Sequence, residues 1–262
     1  MDRTFWQQQT SDKPLFPDLL WSRPENRRHA GKLLVIGGNA HGFAAPAMAY
    51  VESIKAGVGL TRVLLPDAVK TVAKHALETV SFAPSTPSGS FSRQALAEIL
   101  EQADWADGVL LAGDLGRNSE TAIVLESFMQ KYHGQITLTK DAADYLDSNA
   151  AEALARPQTT LVISLSQLQK LAKAAKYPEA VTFSMDLLHL VDWLHEFTTL
   201  YPVNLVTKHL ENIFVAVNGQ VSSSKLANDK DIWRVDAAAH VAVWWLQNTD
   251  KPFEALTTAV YY

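Results

Sequence analysis

Apolar residues occur along this chain in short runs separated by amphipathic segments, and the first such unit spans residues 31–63. An apolar run at 33–36 is typical of a strand buried on both faces. It ends in a Gly-Gly turn, and the small-residue segment 44–55 predicts a helix with Gly57 as its stop signal. A second apolar run, 61–65, completes a strand–helix–strand unit, which a right-handed crossover folds into a parallel sheet.

The same alternation continues toward the C-terminus. Further strands are predicted at 79–82, 108–112, 135–138, 160–163, 203–206 and 213–217, and helices at 66–76, 92–103, 119–132, 166–176, 178–200, 235–247 and 252–261. Asn218-Gly219 predicts a hairpin turn, which adds a late antiparallel edge. We therefore expect one α/β domain over residues 31–262, a doubly wound and mainly parallel sheet with helices on both faces.

Residues 1–30 form an arm set apart by three prolines and four aromatic residues. The prolines interrupt any single helix, and the aromatics suggest that the arm packs on the domain or on a neighbouring subunit. We expect the protein to self-associate as a homo-oligomer, through this arm or through the predicted helix at 44–55.

Composition excludes several classes of function. A net charge of −5 argues against a nucleic-acid-binding surface, and the absence of cysteine excludes disulfides, thiolate metal sites and a cysteine nucleophile. The eight histidines form no close pair at metal-ligand spacing, since His189 and His195 lie six residues apart, and no metal site is predicted. Without a signal-peptide pattern or a run of about 18 apolar residues, a cytoplasmic protein with no membrane partner is expected.

Candidate ligand-binding residues follow the predicted strands, because ligands of such sheets bind beyond the carboxyl ends of the strands. They are Gly38, Asn39, His41 and Gly42 after the first strand, Gly113, Asp114 and Gly116 after the strand at 108–112, and Asp141 and Lys208 after later strands. Each also has a structural interpretation: the glycines turn a corner, His41 fills a loop, and Lys208 is solvated at a strand end.

Several motifs, in order along the chain, resemble those of the ADP/ATP-dependent NAD(P)H-hydrate dehydratases, a branch of the ribokinase-like superfamily. The first is the Gly-Gly turn with its alanine-rich helix and the AGVGL strand entry. The others are DGVLLAGDLGR at 107–117, resembling the family's D-x-x-x-x-G-P-G-L-G; the turn at 139–142, where the family has D-A-D-A; VNLVTKH at 203–209, resembling V-V-L-K-G; and DKPFEALTTAVYY at 250–262, close to D-P-F-E-A-A-x-x-A-V-Y.

The resemblance implies a specific chemistry. Family members use ADP or ATP with Mg²⁺ to dehydrate the hydrated nicotinamide ring of damaged NADH or NADPH, by phosphorylating a hydroxyl that then leaves as phosphate. Such a lyase needs an anion hole of backbone N–H groups, a carboxylate base near the hydroxyl and a divalent metal on the phosphates. A nucleotide or dinucleotide is therefore the implied partner, and nicotinamide nucleotide repair the implied role.

The family supplies the anion hole and the carboxylate base together in a G-[ST]-G-D sequence. This chain departs from the family at that motif. Alignment through the following helix puts Asp236 at the base position and residues 232–235, which are Ile, Trp, Arg and Val, where the glycines should be. Such side chains block the close approach that glycine permits and resist positive φ. Asp231 is a second candidate for the base, although Lys230 replaces the preceding glycine. The structural interpretation of Asp236 is an acidic residue near a helix start, favoured by the helix dipole.

Other motifs are eroded as well. Asp114 stands at the middle glycine of G-P-G-L-G, Thr139 at the first aspartate of D-A-D-A, and His209 at the glycine after Lys208. We therefore predict a divergent NAD(P)H-hydrate dehydratase-like protein that is weakly active or inactive, a pseudoenzyme that binds a nucleotide or dinucleotide. The alternatives are an active ADP/ATP-dependent dehydratase with Asp236 as base, and a small-molecule kinase of the same superfamily.

Overall fold

The fold is built on one mixed sheet. The computed structural model describes residues 3–10, 13–225 and 233–261. Within these residues ten strands form the sheet in the order β1-β10-β9-β8-β7-β6-β5-β2-β3-β4. Their bounds are β1 Trp6–Gln9, β2 Lys32–Gly37, β3 Leu60–Pro66, β4 Val80–Ala83, β5 Gly108–Gly113, β6 Gln135–Thr139, β7 Thr159–Ser164, β8 Val203–His209, β9 Asn212–Val217 and β10 Gln220–Lys225.

The helices cover both faces of this sheet. Their bounds are α1 Pro17–Trp21, α2 Ala44–Lys55, α3 Lys70–Ala76, α4 Ala95–Trp105, α5 Ser119–Lys131, α6 Asp141–Asp144, α7 Ala150–Ala155, α8 Leu165–Ala174, α9 Leu187–Leu200, α10 Trp233–Gln247 and α11 Pro252–Ala259. One buried cluster packs α4, α5 and α7 to α9 on one face, and a second packs α2, α3, α10 and α11 on the other. The predicted doubly wound α/β architecture is confirmed. No helix in the described ranges is long and apolar enough to cross a bilayer.

The antiparallel part of the sheet is the strand β9. It pairs antiparallel with both β8 and β10, whereas the other described neighbours are parallel. The turn between β9 and β10 is Asn218-Gly219, with φ of 48° and 78°. Positive φ at both residues is the geometry of a type I′ hairpin, so the predicted turn is confirmed.

Three predicted helix starts were wrong. The helix predicted from residue 178 begins at Leu187, because Asp186 adopts extended backbone and its carboxylate accepts a hydrogen bond from His189 N at 2.8 Å, as an N-cap. The helix predicted from residue 92 begins at Ala95, after a turn in which Ala95 N bonds to Ser92 O at 2.9 Å. The helix predicted from residue 66 begins at Lys70, after a single 3₁₀ turn.

The N-terminal arm packs on its own domain. β1 pairs in parallel with β10, Trp6 Nε1 donates to Ser223 Oγ at 3.1 Å, and Phe5 stacks on His195 with ring centroids 3.8 Å apart. The aromatics at the start of the arm thus have partners within the chain, while Trp21 at its far end is 88% exposed. Self-association through the arm or through α2 stays a prediction.

Candidate functional site

The candidate site lies where the strand order reverses. The chain runs outward from β2 to β3 and β4, then returns to place β5 on the other side of β2. The crevice at such a topological switch point, beyond the carboxyl ends of the strands, is where doubly wound sheets bind ligands. The turns after β2 and β5 meet there, and Gly38 N donates to Gly113 O at 3.0 Å.

The glycines of this corner are required by close backbone contact. A Cβ on Gly37 would lie 2.4 Å from Gly113 O, and Gly38 and Gly113 have φ of 83° and 99°, which residues with a side chain rarely adopt. The structure therefore brings Gly38 and Gly113 together at one corner, as expected from the sequence.

Asp114 places a carboxylate at the N-terminus of α2. Its Oδ2 accepts a hydrogen bond from Ala45 N at 2.7 Å, and its Oδ1 pairs with Lys140 Nζ at 2.6 Å. Asp114 and Lys140 both hold positive φ, 56° and 52°, a conformation that costs free energy and is retained where surrounding contacts impose it. A helix N-terminus beside an ammonium group is a ready anion site, and here the chain's own carboxylate occupies it.

The turn after β2 is closed by its own hydrogen bonds. Asn39 N and Gly42 O are 3.0 Å apart, as are Gly42 N and Asn39 O, and His41 N donates to Asn39 Oδ1 at 2.7 Å. Asn39 Nδ2 also donates to Asp114 O at 2.6 Å, which ties this turn to the turn after β5. The imidazole of His41 is exposed at the rim of the crevice.

Asp141, which follows β6, contacts the turn after β5 at the crevice. Its Oδ2 accepts from Gly116 N at 3.1 Å, whereas its Oδ1 is buried and forms no hydrogen bond. Burial raises the pKa of Asp141 above its ordinary value, and the hydrogen bond from Gly116 opposes that shift. The carbonyl oxygen of Gly116 in turn accepts a hydrogen bond from the Tyr145 hydroxyl.

This burial predicts a pH-dependent stability difference. Because the pKa of Asp141 is raised in the folded state, the folded protein holds the proton more tightly, and stability falls as pH rises through that pKa. Asp141→Asn keeps an acceptor for Gly116 N but carries no charge. We expect the free energy of unfolding of the variant, relative to that of the wild type, to increase between about pH 4 and pH 7.

Urea unfolding at both pH values measures this difference. Asp104→Asn, on the exposed surface of α4, controls for the general loss of one negative charge. A difference that shrinks toward pH 7, or that matches the Asp104→Asn control, would contradict the expected role of Asp141 burial.

Lys208 lies at the end of β8, half-buried and in register with Ser164. It is therefore at the same sheet edge as the corner at Gly38 and Gly113, three strands farther along. Between them lie two residues that the sequence interpretation did not select. Gln167 Nε2 donates to Lys140 O at 2.7 Å, and Gln167 Oε1 accepts from Arg234 at 2.9 Å. The signal available in the sequence was the capping box of α8, formed by Ser164 and Gln167.

Asp236, the first candidate for the base, contacts α2. α10 begins at the carboxyl-end edge of the sheet and runs to the opposite edge, where Gln247 Nε2 donates to Gly57 O at 3.0 Å. One turn into α10, Asp236 Oδ1 lies 3.7 Å from His240 Nε2, which is 3.5 Å from Glu52 Oε2. Glu52 is about 12 Å along the axis of α2 from its first residue. Asp231, the second candidate, lies outside the described residues.

The charges around this cluster favour an ionised carboxylate and a neutral imidazole. Burial raises the pKa of Glu52, but the hydrogen bond and charge of Lys55, 2.6 Å away, leave that pKa below its ordinary value. Burial lowers the pKa of His240, against the opposing effect of Asp236 and Glu52. Glu52 and His240 were not selected from the sequence, although Asp236 and His240 have the i, i+4 spacing of one helix face.

A separate cavity of about 300 Å³ lies beneath α5 and α7. Its lining is mainly apolar and includes Leu111, Leu125, Met129, Leu138 and Leu146. The Tyr145 ring lines this cavity, and its hydroxyl contacts Gly116 at the corner of the crevice. The cavity and the crevice therefore share one side chain.

Comparison with curated proteins finds relatives for half of the chain. The bifunctional NAD(P)H-hydrate repair enzyme Nnr of Methanocaldococcus jannaschii is 32% identical over 123 residues, which cover 47% of this chain and 24% of that protein. The Nnr of Methanothermobacter thermautotrophicus is 30% identical over 123 residues, 45% of this chain and 23% of that protein. The chain thus spans about a quarter of the length of these relatives. No protein-family model matches it.

Solved structures share the fold over nearly the whole chain. A ribokinase-like superfamily protein of Enterococcus faecalis superposes with a TM-score of 0.75 at 14% identity, covering 100% of this chain and 87% of the other. The ADP/ATP-dependent NAD(P)H-hydrate dehydratase of Bacillus subtilis, co-crystallised with ATP/Mg²⁺, gives a TM-score of 0.58 at 11% identity, covering 95% and 86%. The fold is ribokinase-like, and the resemblance to the NAD(P)H-hydrate dehydratases is confirmed.

Proposed function

We propose that this chain is a divergent relative of the NAD(P)H-hydrate dehydratases that binds a nucleotide or dinucleotide weakly and has little or no dehydratase activity. The observation that carries the proposal is the Asp114 carboxylate at the N-terminus of α2. It engages Ala45 N and Lys140 Nζ, the donors that would otherwise face a phosphate at this corner. An incoming phosphate would have to displace that carboxylate against like-charge repulsion.

The described residues at this corner do not fit the Mg²⁺ that accompanies a nucleotide. Mg²⁺ requires oxygen ligands in near-ideal octahedral geometry. Both oxygens of Asp114 are engaged by Ala45 and Lys140, one oxygen of Asp141 is engaged by Gly116, and the other is buried. We therefore assign no step of phosphoryl transfer to these residues.

Binding of ADP and ATP to Asp114 variants tests the proposal. Asp114→Asn removes the charge and leaves an oxygen that can accept from Ala45 N, so the Lys140 ammonium becomes available to phosphate. We expect about tenfold tighter nucleotide binding in calorimetric titrations, or about 1.4 kcal/mol. Asp114→Gly, which restores the glycine of the family motif and suits the positive φ, should act in the same direction.

Asp104→Asn is the matched control, because it removes one exposed carboxylate far from the crevice, and it should leave nucleotide affinity unchanged. The titrations are run with and without Mg²⁺. Tight binding by the wild-type protein that is weakened by Asp114→Asn would refute the proposal, because Asp114 would then be part of a working nucleotide site.

A further inference from the structure

The groove between α2 and α10 holds a compact set of three side chains of metal-ligand type. Glu52 comes from α2, and Asp236 and His240 come from α10; one ligand atom from each lies within 4.8 Å of the other two. The separations of His240 Nε2 from Glu52 Oε2 and Asp236 Oδ1, 3.5 and 3.7 Å, exceed the length of an ordinary hydrogen bond, about 2.7–3.2 Å.

These separations are close to those around a tetrahedral ion. Zn²⁺ binds nitrogen and carboxylate oxygen at about 2.0–2.2 Å, which puts neighbouring ligand atoms of a tetrahedron about 3.3–3.6 Å apart. The ligand atoms of Glu52 and Asp236 lie within 4.8 Å of each other, so a dication can enter the cluster once these two side chains adopt the tetrahedral spacing. It would also offset the negative charge of two carboxylates that face each other across the groove.

The backbone and the surroundings hold the cluster in place. Asp236 and His240 project from one face of α10 at i, i+4, and both helices pack on the same buried cluster. Lys55 binds Glu52 Oε1 at 2.6 Å, so Oε2 is the oxygen on the side of His240. The side chains of Glu52 and His240 are 16% exposed and that of Asp236 is 27% exposed, which shields the site and leaves it accessible to an ion from solvent.

We propose that Glu52, Asp236 and His240 bind a transition-metal dication of the Zn²⁺ type, with water in the fourth position. One imidazole nitrogen with two carboxylate oxygens suits Zn²⁺, whereas Mg²⁺ and Ca²⁺ prefer oxygen ligands alone. The site is distinct from the Mg²⁺ that the family resemblance implies, which would sit on nucleotide phosphates beyond the strand ends. It does not depend on nucleotide binding.

Titration of the untagged full chain with Zn²⁺ tests the site. Calorimetry should give one site per chain, and Zn²⁺ should raise the melting temperature because it binds the folded state. Co²⁺ in place of Zn²⁺ should give the visible absorption of a tetrahedral cobalt site. His240→Ala and Glu52→Gln should each lower the Zn²⁺ affinity at least tenfold and abolish the cobalt absorption.

The pair His189 and Asp186 provides a matched control, since its atoms are 3.4 Å apart but both side chains are largely exposed. His189→Ala should leave Zn²⁺ affinity unchanged. Circular dichroism checks the fold of each variant. If His240→Ala does not fold, the Zn²⁺ affinity of Glu52→Gln decides the test. The proposal is overturned if the wild-type protein does not bind Zn²⁺, or if a folded variant of Glu52 or His240 binds Zn²⁺ as tightly as the wild type. It is also overturned if His189→Ala lowers the Zn²⁺ affinity as much as those variants do.

Discussion

Hydrated NADH incubated with this protein, ADP or ATP, and Mg²⁺ is expected to remain unconverted. The sequence resemblance implies that residues 232–235 replace glycines of the dehydratases, and Trp233 to Val235 form the first turn of α10, with Val235 buried. Side chains on these residues block the close approach of a phosphate to the backbone N–H groups of that turn, which glycines would permit. Loss of one such donor lowers rates by roughly 10²–10³ in studied enzymes.

Absorbance of the regenerated NADH, followed over hours at high enzyme concentration, measures the conversion. An active NAD(P)H-hydrate dehydratase assayed in parallel verifies the substrate and the nucleotide. ADP- or ATP-dependent conversion by this chain that is lost in Asp236→Asn would contradict the expectation. It would restore the alternative of an active dehydratase that depends on Asp236.

Trp193→Ala should lower the free energy of unfolding by about 3–5 kcal/mol, the usual cost of removing a large buried aromatic side chain. Trp193 is 1% exposed, stacks on Phe197 with centroids 4.6 Å apart and contacts the Tyr177 ring edge-on at 5.2 Å. Its Nε1 donates to Glu179 O at 3.0 Å, so truncation also removes a hydrogen bond that holds the segment before α9. Urea unfolding curves measure the loss.

Trp21→Ala is the matched control, because Trp21 is 88% exposed and its truncation creates no cavity. Its free energy of unfolding should lie within about 0.5 kcal/mol of the wild type. Trp193→Phe keeps most of the aromatic packing and should fall between the two. Equal effects of Trp193→Ala and Trp21→Ala would mean that the α9 cluster contributes little to stability.

The fold followed from the sequence because its signals are local. Short apolar runs ended by glycine or polar turns located β2, β5 and β7, and the small-residue segment 44–55 matched α2 in its bounds. The helix predicted from residue 178 was too long, because an apolar pattern continues through residues 178–186. Asp186 is the N-cap of α9, so the helix begins only at Leu187. The start of a helix depends on the φ and ψ angles of its N-cap residue, which hydrophobic periodicity does not encode.

The site was less predictable because its decisive contacts join residues far apart in sequence. The sequence located Asp114 at a glycine position but did not predict its pairing with Lys140 and Ala45 N. Likewise, Asp236 was selected as a base, while its contact with a cluster formed by Glu52 depends on how α10 packs against α2. Side-chain partners across two packed helices become known only when the helix positions are known.

The pairing of β1 with β10 has a consequence for synthesis on the ribosome. The side chains of Gln9 and Ser224, joined by a hydrogen bond, are 215 residues apart in sequence, so the first strand finds its place only after β10 has left the exit tunnel. Pairing of such distant segments is slow, and an unpaired strand edge can recruit another chain. Until β1 pairs with β10, the edge of β10 is open to pairing with another chain. We therefore expect the nascent chain to need chaperones most in that interval.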